Sequence, residues 1–319
     1  MNSLHLLLAR PARPHQLVHQ ARQVAPPQLK RLRRGAPGPP ASGITEAISQ
    51  ACGIERQQDW PLASLCAAAD GLRVSAEDYW LRLDPVHLEV VMGGLILRPS
   101  ASLQLSQQEA DALITAINQH WQPDDLHIQA VSPTRWYLRL PQAPNLRTTP
   151  LDQMGGEYLT PNLPRGADAR LFLQRINEIQ MLMHSHPLNL ARDSEGRPPV
   201  NGLWLWGGGI LPAATAKFDL NAGDDFEVHA MALHVGTPSC PQPRSWAELK
   251  PGNRALVVLT QPEAEASGDL VARLAQLERD WFQPLLHQLH LGRIRQLRLD
   301  LIGHQAALLT PARAWRFWR

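Results

Sequence analysis

The sequence predicts an α/β protein, a mainly parallel sheet built from both ends of the chain with a small α+β unit inserted between them. Three observations predict it. "RALVVLT" (254–260), a helical pattern over 269–291 and "IRQLRLDLIG" (294–303) have the strand-helix-strand order of a parallel sheet. "LHLLLA" (4–9) is a short apolar run of the kind a buried strand shows, and it supplies a strand from the other end of the chain. Residues 79–140 differ from both in alternating strands with a single helix.

The elements follow in order. After the first strand, "PPQLKRLRR" (26–34) predicts a turn or two of basic helix, and "GAPGPPASG" (35–43) a loop. "YWLRLDPVHLEVVMGGLILRP" reads as two strands joined near Gly93-Gly94, a hairpin signal. "SQQEADALITAINQHW" (106–121) predicts an amphipathic helix, with Ser106 as N-cap and Glu109 completing a capping box. "LHIQAVSPTRWYLRL" (126–140) supplies two further strands. Over 168–186, Leu171, Ile176, Ile179, Leu182 and Met183 recur at helical spacing, and Pro187 is expected to stop that helix. "GLWLW" (202–206) is a buried strand running into Gly207-Gly208-Gly209. The expected division is 1–78 and 146–319 for the α/β core and 79–145 for the inserted unit.

Composition narrows the partners. Lysine and arginine number 31 against 29 acidic residues, a net charge of +2, which gives no global pull toward nucleic acid or an anionic membrane. Cys52, Cys66 and Cys240 are an odd number without metal-type spacing, so neither a disulfide framework nor a zinc site is expected. The apolar run at the start is shorter than a signal-peptide core, and no stretch reaches the ~20 apolar residues of a membrane span. A soluble, unexported, cytoplasmic protein is the expectation.

The candidate chemistry is local. Glycines after a strand let backbone N–H groups approach an anion, yet Gly207-Gly209 has neither the Rossmann nor the P-loop spacing, and a tight strand-to-loop turn is the competing reading. His184 and His186, two apart at a helix end, do not share a helical face, so a capping role competes with metal binding. His87 is open in the same way. Asp84, Asp152, Asp168 and Asp193 lie near turns, where aspartate caps or bonds its own backbone. Arg135 and Arg192 suit a carboxylate or phosphate, with stacking on neighbouring aromatic residues as the alternative. Trp80, Trp204 and Trp206 fall in strand patterns, whereas the terminal "ARAWRFWR" is expected to dock on the protein.

"TTPLDQMGGEYLTPNLPRG", then "INEIQMLMHSHPLNLARDSEGRPPVNGLWLWGGGILP", then Phe218, resembles a segment of the archaeal-type cofactor-independent phosphoglycerate mutases. In that family a Thr-Thr-Pro stretch, His-x-x-Asn-x-x-Arg, Gly-x-x-Pro-x-Asn and Trp-Leu-Trp-Gly-x-Gly follow in this order. "YWLRLDPVHL", "TRWYLRL" and "NEIQMLMHSHPLN" further resemble the bacterial RpfE-type regulatory proteins. The resemblance implies a shortened alkaline-phosphatase-like sheet. It also implies chemistry that needs two divalent metals on Asp and His and a Ser or Thr nucleophile. Here the sequence departs from the pattern: Ala9-Arg10 stands where the first strand should end in Asp-Gly. Gln261, Pro262 and Glu263 stand where an Asp-x-x-x-His should follow a strand, and Asp300 and His304 only echo the final Asp-His.

The resemblance therefore implies a degenerate relative, without catalytic metal or other cofactor, acting in regulation. Its expected partner is a small phosphorylated or carboxylated metabolite, or another protein. Asn189, Arg192, Asn201 and Gly207, Gly208 and Gly209 would line the retained site, with Arg135 facing it from the inserted unit. The alternatives are an active mutase or phosphohydrolase using His184, His186 and Asp193 with a metal, and an interaction module whose tryptophan-rich strand and tail form an interface.

Overall fold

The computed structural model describes residues 1–9, 27–154, 157–213, 215–249, 252–260 and 270–315. Two compact units emerge, unit 1 from Met1–Ile54 with Ala214–Arg319 and unit 2 from Glu55–Ala213. Unit 1 opens with β1 (Ser3–Leu8), α1 (Pro27–Leu32), β2 (Ala36–Gly38) and α2 (Ile44–Cys52). Unit 2 contains α3 (Leu62–Ala69), β3 (Tyr79–Val91), β4 (Gly94–Arg98), α4 (Gln107–Trp121), β5 (Ile128–Ser132) and β6 (Arg135–Leu140). It ends with α5 (Ala169–His184), α6 (Pro187–Ser194) and β7 (Gly202–Gly209). Unit 1 resumes with β8 (Leu220–Ala222), α7 (Phe226–His234), β9 (Ser239–Cys240), β10 (Arg254–Leu259) and α8 (Leu270–Leu277). It closes with α9 (Gln283–His290), β11 (Gln296–Leu301), β12 (Gln305–Leu309) and α10 (Pro311–Ala314).

The unit 1 sheet has the order β2-β12-β11-β1-β10-β8-β9. Strand β1 lies parallel between β10 and β11, and β8 and β9 continue the parallel run, so the mainly parallel sheet drawn from both chain ends is as expected. Alternation along β1 sends Leu4 and Leu6 into one core with Val257, Leu299, Trp281 and Phe282. The expected loop at 35–43 contains the short edge strand β2, because antiparallel β12 leaves a backbone edge that β2 pairs. The single helix predicted over 269–291 is α8 and α9 joined by a π-helical segment, Glu278–Phe282. Pro284 explains the join: it has no N–H for the preceding turn and its ring crowds the carbonyl before it.

Unit 2 is antiparallel. Strand β3 is its spine, pairing β4 through its second half and both β6 and β7 through its first. The Gly93-Gly94 hairpin is present, with Gly93 at φ +102°, a conformation that L side chains resist. Helix α4 begins with the predicted capping box between Ser106 and Glu109.

The units divide at 54/55 and 213/214, whereas the expected boundaries were 78/79 and 145/146. Pairing and burial give the reason. Strand β7 runs along β3, and Phe172, Ile176, Ile179 and Met183 of α5 share one core with Leu81, Leu83, Leu113 and Ile117. Pro187 does not merely stop a helix, since it occupies the first turn of α6, where its missing N–H costs nothing. Trp204 and Trp206 are buried inside unit 2, so the tryptophan-rich strand is core and not an interface. Trp315 packs on His290, and residues 316–319 of the terminal segment lie outside the described residues. Among the described residues no helix is long and apolar enough to cross a membrane, and Cys52, Cys66 and Cys240 form no disulfide.

Candidate functional site

The motif residues after α5 are placed by a helix corner. His186 Nδ1 accepts from Leu188 N (3.2 Å), which caps α6, so His186 has the capping role. Asn189 and Arg192, three apart on α6, turn the same face inward. Asn189 donates to the Met183 and Val200 carbonyls (2.8 Å each) and accepts from Val200 N (2.9 Å). Arg192 is fully buried. It donates to Pro198 O (3.0 Å), Leu103 O (2.5 Å) and Glu109 Oε1 (2.8 Å). Asn201 pairs both amide atoms with the Leu88 backbone, at 2.6 and 3.0 Å, in place of a neighbouring strand. The expected anion clamp is corrected accordingly: these three side chains spend their polar atoms on the chain itself.

The glycine triplet lies within β7, not after it. A Cβ on Gly208 would fall 2.3 Å from Tyr79 Oη and 2.9 Å from Leu81 Cδ2; one on Gly209 would fall 2.4 Å from Pro61 Cβ. Gly208 and Gly209 thus admit protein neighbours instead of forming a phosphate cradle, while Gly207 takes φ +72°, a left-handed backbone that L side chains resist. Arg135 does not face this segment either, because its guanidinium forms a two-pronged pair with Asp70 (2.8 Å twice), to which Tyr137 also donates (2.6 Å). Burial alone would raise the Asp70 pKa, but the bonds from Arg135 and Tyr137 and the arginine charge hold it below the usual range.

Asp84, expected near a turn, sits mid-strand in β3 and is almost wholly buried. Arg82 meets it through Nε and Nη2 (2.9 Å each), Trp206 Nε1 donates to it (2.8 Å), and the Arg82 guanidinium lies 5.0 Å from the Trp206 ring and 5.3 Å from that of Tyr137. Sequence reasoning missed this cluster. Its signal was two opposite charges at i and i+2 in an apolar strand, which places both on one face.

A second polar seam joins residues 57–59 to the chain after β6. Leu146 N donates to Gln58 Oε1 (2.8 Å), and Thr148 donates to buried Asp59 from its N (3.0 Å) and its hydroxyl (2.5 Å). Burial raises the Asp59 pKa against those bonds and the charges of Arg56 and Arg147. The Tyr79 hydroxyl is buried and has no hydrogen-bond partner among the described residues, and burial with the nearby Asp59 charge pushes its pKa up. Just before Thr148 the chain makes an antiparallel bridge in which Arg147 and Arg165 exchange both backbone bonds (2.7 and 2.9 Å).

In unit 1, Asp300 is buried in β11, with His5 Nε2 2.6 Å from its Oδ2 and Arg298 Nε at 3.0 Å. A carboxylate held between a histidine and an arginine is a poor metal donor, since the cation beside it competes for the same lone pairs. Among the described residues no three His, Cys, Asp or Glu side chains gather in a way that could hold a metal ion, including His184, His186 and Asp193. Arg10 and residues 261–263, where the sequence is expected to depart from the family pattern, lie outside the described residues.

Residues 63–189 match the family model described as 2,3-bisphosphoglycerate-independent phosphoglycerate mutase. The chain is similar to the 2,3-bisphosphoglycerate-independent phosphoglycerate mutase of Methanosarcina mazei, 31% identical over 179 residues, 54% of this chain and 43% of that protein. It is similar to the enzyme so named in Methanothrix thermoacetophila, 37% identical over 92 residues, 29% of this chain and 24% of that protein. The chain spans less than half the length of these curated relatives. Among solved structures, the cofactor-independent phosphoglycerate mutase from Thermoplasma acidophilum superposes with a TM-score of 0.43 at 13% identity, over 97% of this chain and 89% of that one. The matched stretch falls wholly within unit 2, and through it the chain is related in sequence to the 2,3-bisphosphoglycerate-independent phosphoglycerate mutases.

Proposed function

We propose that this protein is a non-catalytic relative of the phosphoglycerate mutases that acts in regulation by binding a small phosphorylated or carboxylated metabolite. The observation that carries the reading is the contrast between the units. The family-matching stretch lies in unit 2, while in unit 1 the strand-borne Asp300 is already engaged by His5 and Arg298. The commitment of Asn189, Arg192 and Asn201 to internal bonds supports the same reading, since residues that the resemblance assigns to a substrate serve as struts here.

Turnover and binding separate this reading from an active mutase. Purified protein incubated with 3-phosphoglycerate and manganese, magnesium or zinc is expected to form no 2-phosphoglycerate, while phosphorylated three-carbon acids raise its melting temperature. Metal-dependent conversion of phosphoglycerate that rises in proportion to protein concentration would sink the proposal.

A further inference from the structure

We propose that Arg147, Arg165 and Arg56 form an anion site on unit 2 that receives the phosphate group of a small phosphomonoester. The inference rests on the binding reading above and gives it a location other than the expected glycine and asparagine segment.

The argument starts from the bridge between Arg147 and Arg165. Residues that exchange both backbone hydrogen bonds in an antiparallel pair stand directly opposite, with side chains leaving the same face about 5 Å apart at Cβ. Two like charges so placed repel, and folded chains avoid the arrangement unless an opposite charge sits with them. Neither arginine has a carboxylate partner among the described residues, although this protein pairs its arginines readily elsewhere, as with Arg82, Arg135, Arg139 and Arg254. Arg147 makes no side-chain bond there; Arg165 uses only Nη2, on Pro161 O at 2.9 Å, which steadies its guanidinium without neutralising it.

A third cation joins the pair. Arg56 lies over the Trp60 ring at 5.7 Å, three residues before Asp59, and Thr148, the residue after Arg147, donates to that Asp59 at 3.0 Å, so the two arginines flank one seam. All three guanidinium groups are on exposed residues, whereas Asp59 is buried and its oxygens are taken by Thr148. The adjoining 16-residue helix α5 adds its positive end, with no acidic residue in its first turn. Segment 145–147 is laced to that end, since Asn145 O accepts from Asp168 N (3.1 Å), and Asn145 N donates to Asp168 Oδ2 (2.7 Å). Asp168 is the one acid at the helix start, and this bond turns one of its oxygens to the backbone.

Three cations along this seam, two of them on the segments that lead to the start of α5, match the dianionic, three-oxygen face of a phosphomonoester, and guanidinium forks suit its geometry. A net charge of +2 for the whole chain supplies no extended basic surface for a polyanion, so the fit is to a small ligand.

The test uses the full chain, with inorganic phosphate and glycerol 3-phosphate as probes, ligand-observed ³¹P relaxation as the binding readout and melting temperature beside it. Saturable binding is expected, weakened at least about tenfold by Arg147→Gln or by Arg165→Gln, each removing a charge-assisted contact, and unchanged by Arg295→Gln in unit 1. Without phosphate, Arg147→Gln should melt no lower than the parent, because it relieves repulsion; a purely structural arginine would give a lower melting temperature. Tighter binding of the ester than of phosphate assigns an esterified ligand, and equal binding assigns free phosphate; both uphold the site. Undiminished binding in the Arg147→Gln, Arg165→Gln double variant overturns it, as does arginine-dependent binding of an oligonucleotide with none of either small probe. Phosphoglycerate turnover would defeat the non-catalytic reading and leave this site standing, so the two failures are distinguishable.

Discussion

Replacing Arg192 with methionine tests whether the motif arginine is a strut or a ligand clamp. Methionine keeps much of the side chain's apolar bulk and removes its donors. The change strands the Leu103 and Pro198 carbonyls and leaves the Glu109 carboxylate, 11% exposed, with Arg197 at 3.0 Å as its remaining cation. Breaking a buried ion pair by removing one partner costs about 3–5 kcal/mol, and each stranded buried acceptor adds about 1–3 kcal/mol. Relaxation and water entry offset part of that total, so a loss of about 4–5 kcal/mol is expected, a large share of the 5–15 kcal/mol typical of a domain. At about 2–4 °C per kcal/mol for a unit of this size, the melting transition should fall by roughly 10–15 °C. Thermal and urea unfolding followed by far-ultraviolet circular dichroism measures it, with Arg197→Met as a control expected to lose under about 1 kcal/mol. A variant that melts within about 2 °C of the parent while losing metabolite binding would refute the strut assignment and restore Arg192 to a ligand site.

Other outcomes follow from the same contacts. Burial of the Glu109 carboxylate is outweighed by bonds from Ser106 and Arg192, which lower its pKa from 4.5 to about 2. Its stabilisation is therefore complete above the unfolded pKa and fades as the pH falls from about 4.5 toward 2. The loss should reach at most about 3 kcal/mol, and Glu109→Gln should flatten that limb of the stability profile. Gly208→Ala puts a methyl group against the Tyr79 hydroxyl and should cost about 1–3 kcal/mol, with Tyr79→Phe in the same chain recovering part of the loss in urea melts. Asp84→Asn leaves Arg82 buried without its counter-charge, and a loss of about 3–5 kcal/mol is expected by calorimetry; a neutral result would mean that the Trp206 and Tyr137 faces alone hold the guanidinium.

What was legible in the sequence was what local periodicity and local capping encode. Ser106 and Glu109 lie three apart and announce their helix, and Gly93-Gly94 announces its turn. The candidate site depended on partners far along the chain. Glu109 completes a local capping box, yet its second task is to hold Arg192, 83 residues away. Thr148 finds Asp59 across 89 residues. Asp84 looked like a turn residue because aspartate in isolation favours turns, whereas a matching arginine two residues earlier and a tryptophan 122 residues later draw it into the core. The glycine triplet misled for a related reason. Glycine next to a strand can serve a ligand or a neighbouring side chain, and only the position of Tyr79 and Pro61 decides between them.

Gln57 has a consequence of another kind. Its amide donates to Ile210 O and accepts from Ile210 N, both at 3.0 Å, so the two ends of unit 2 are fastened side by side. A segment whose entrance and exit coincide can be spliced into a host loop with little disturbance, because the host need close only a small gap. Such a segment is portable. It can keep its ancestral pattern while the surrounding chain drifts, which fits a family match that begins and ends inside it.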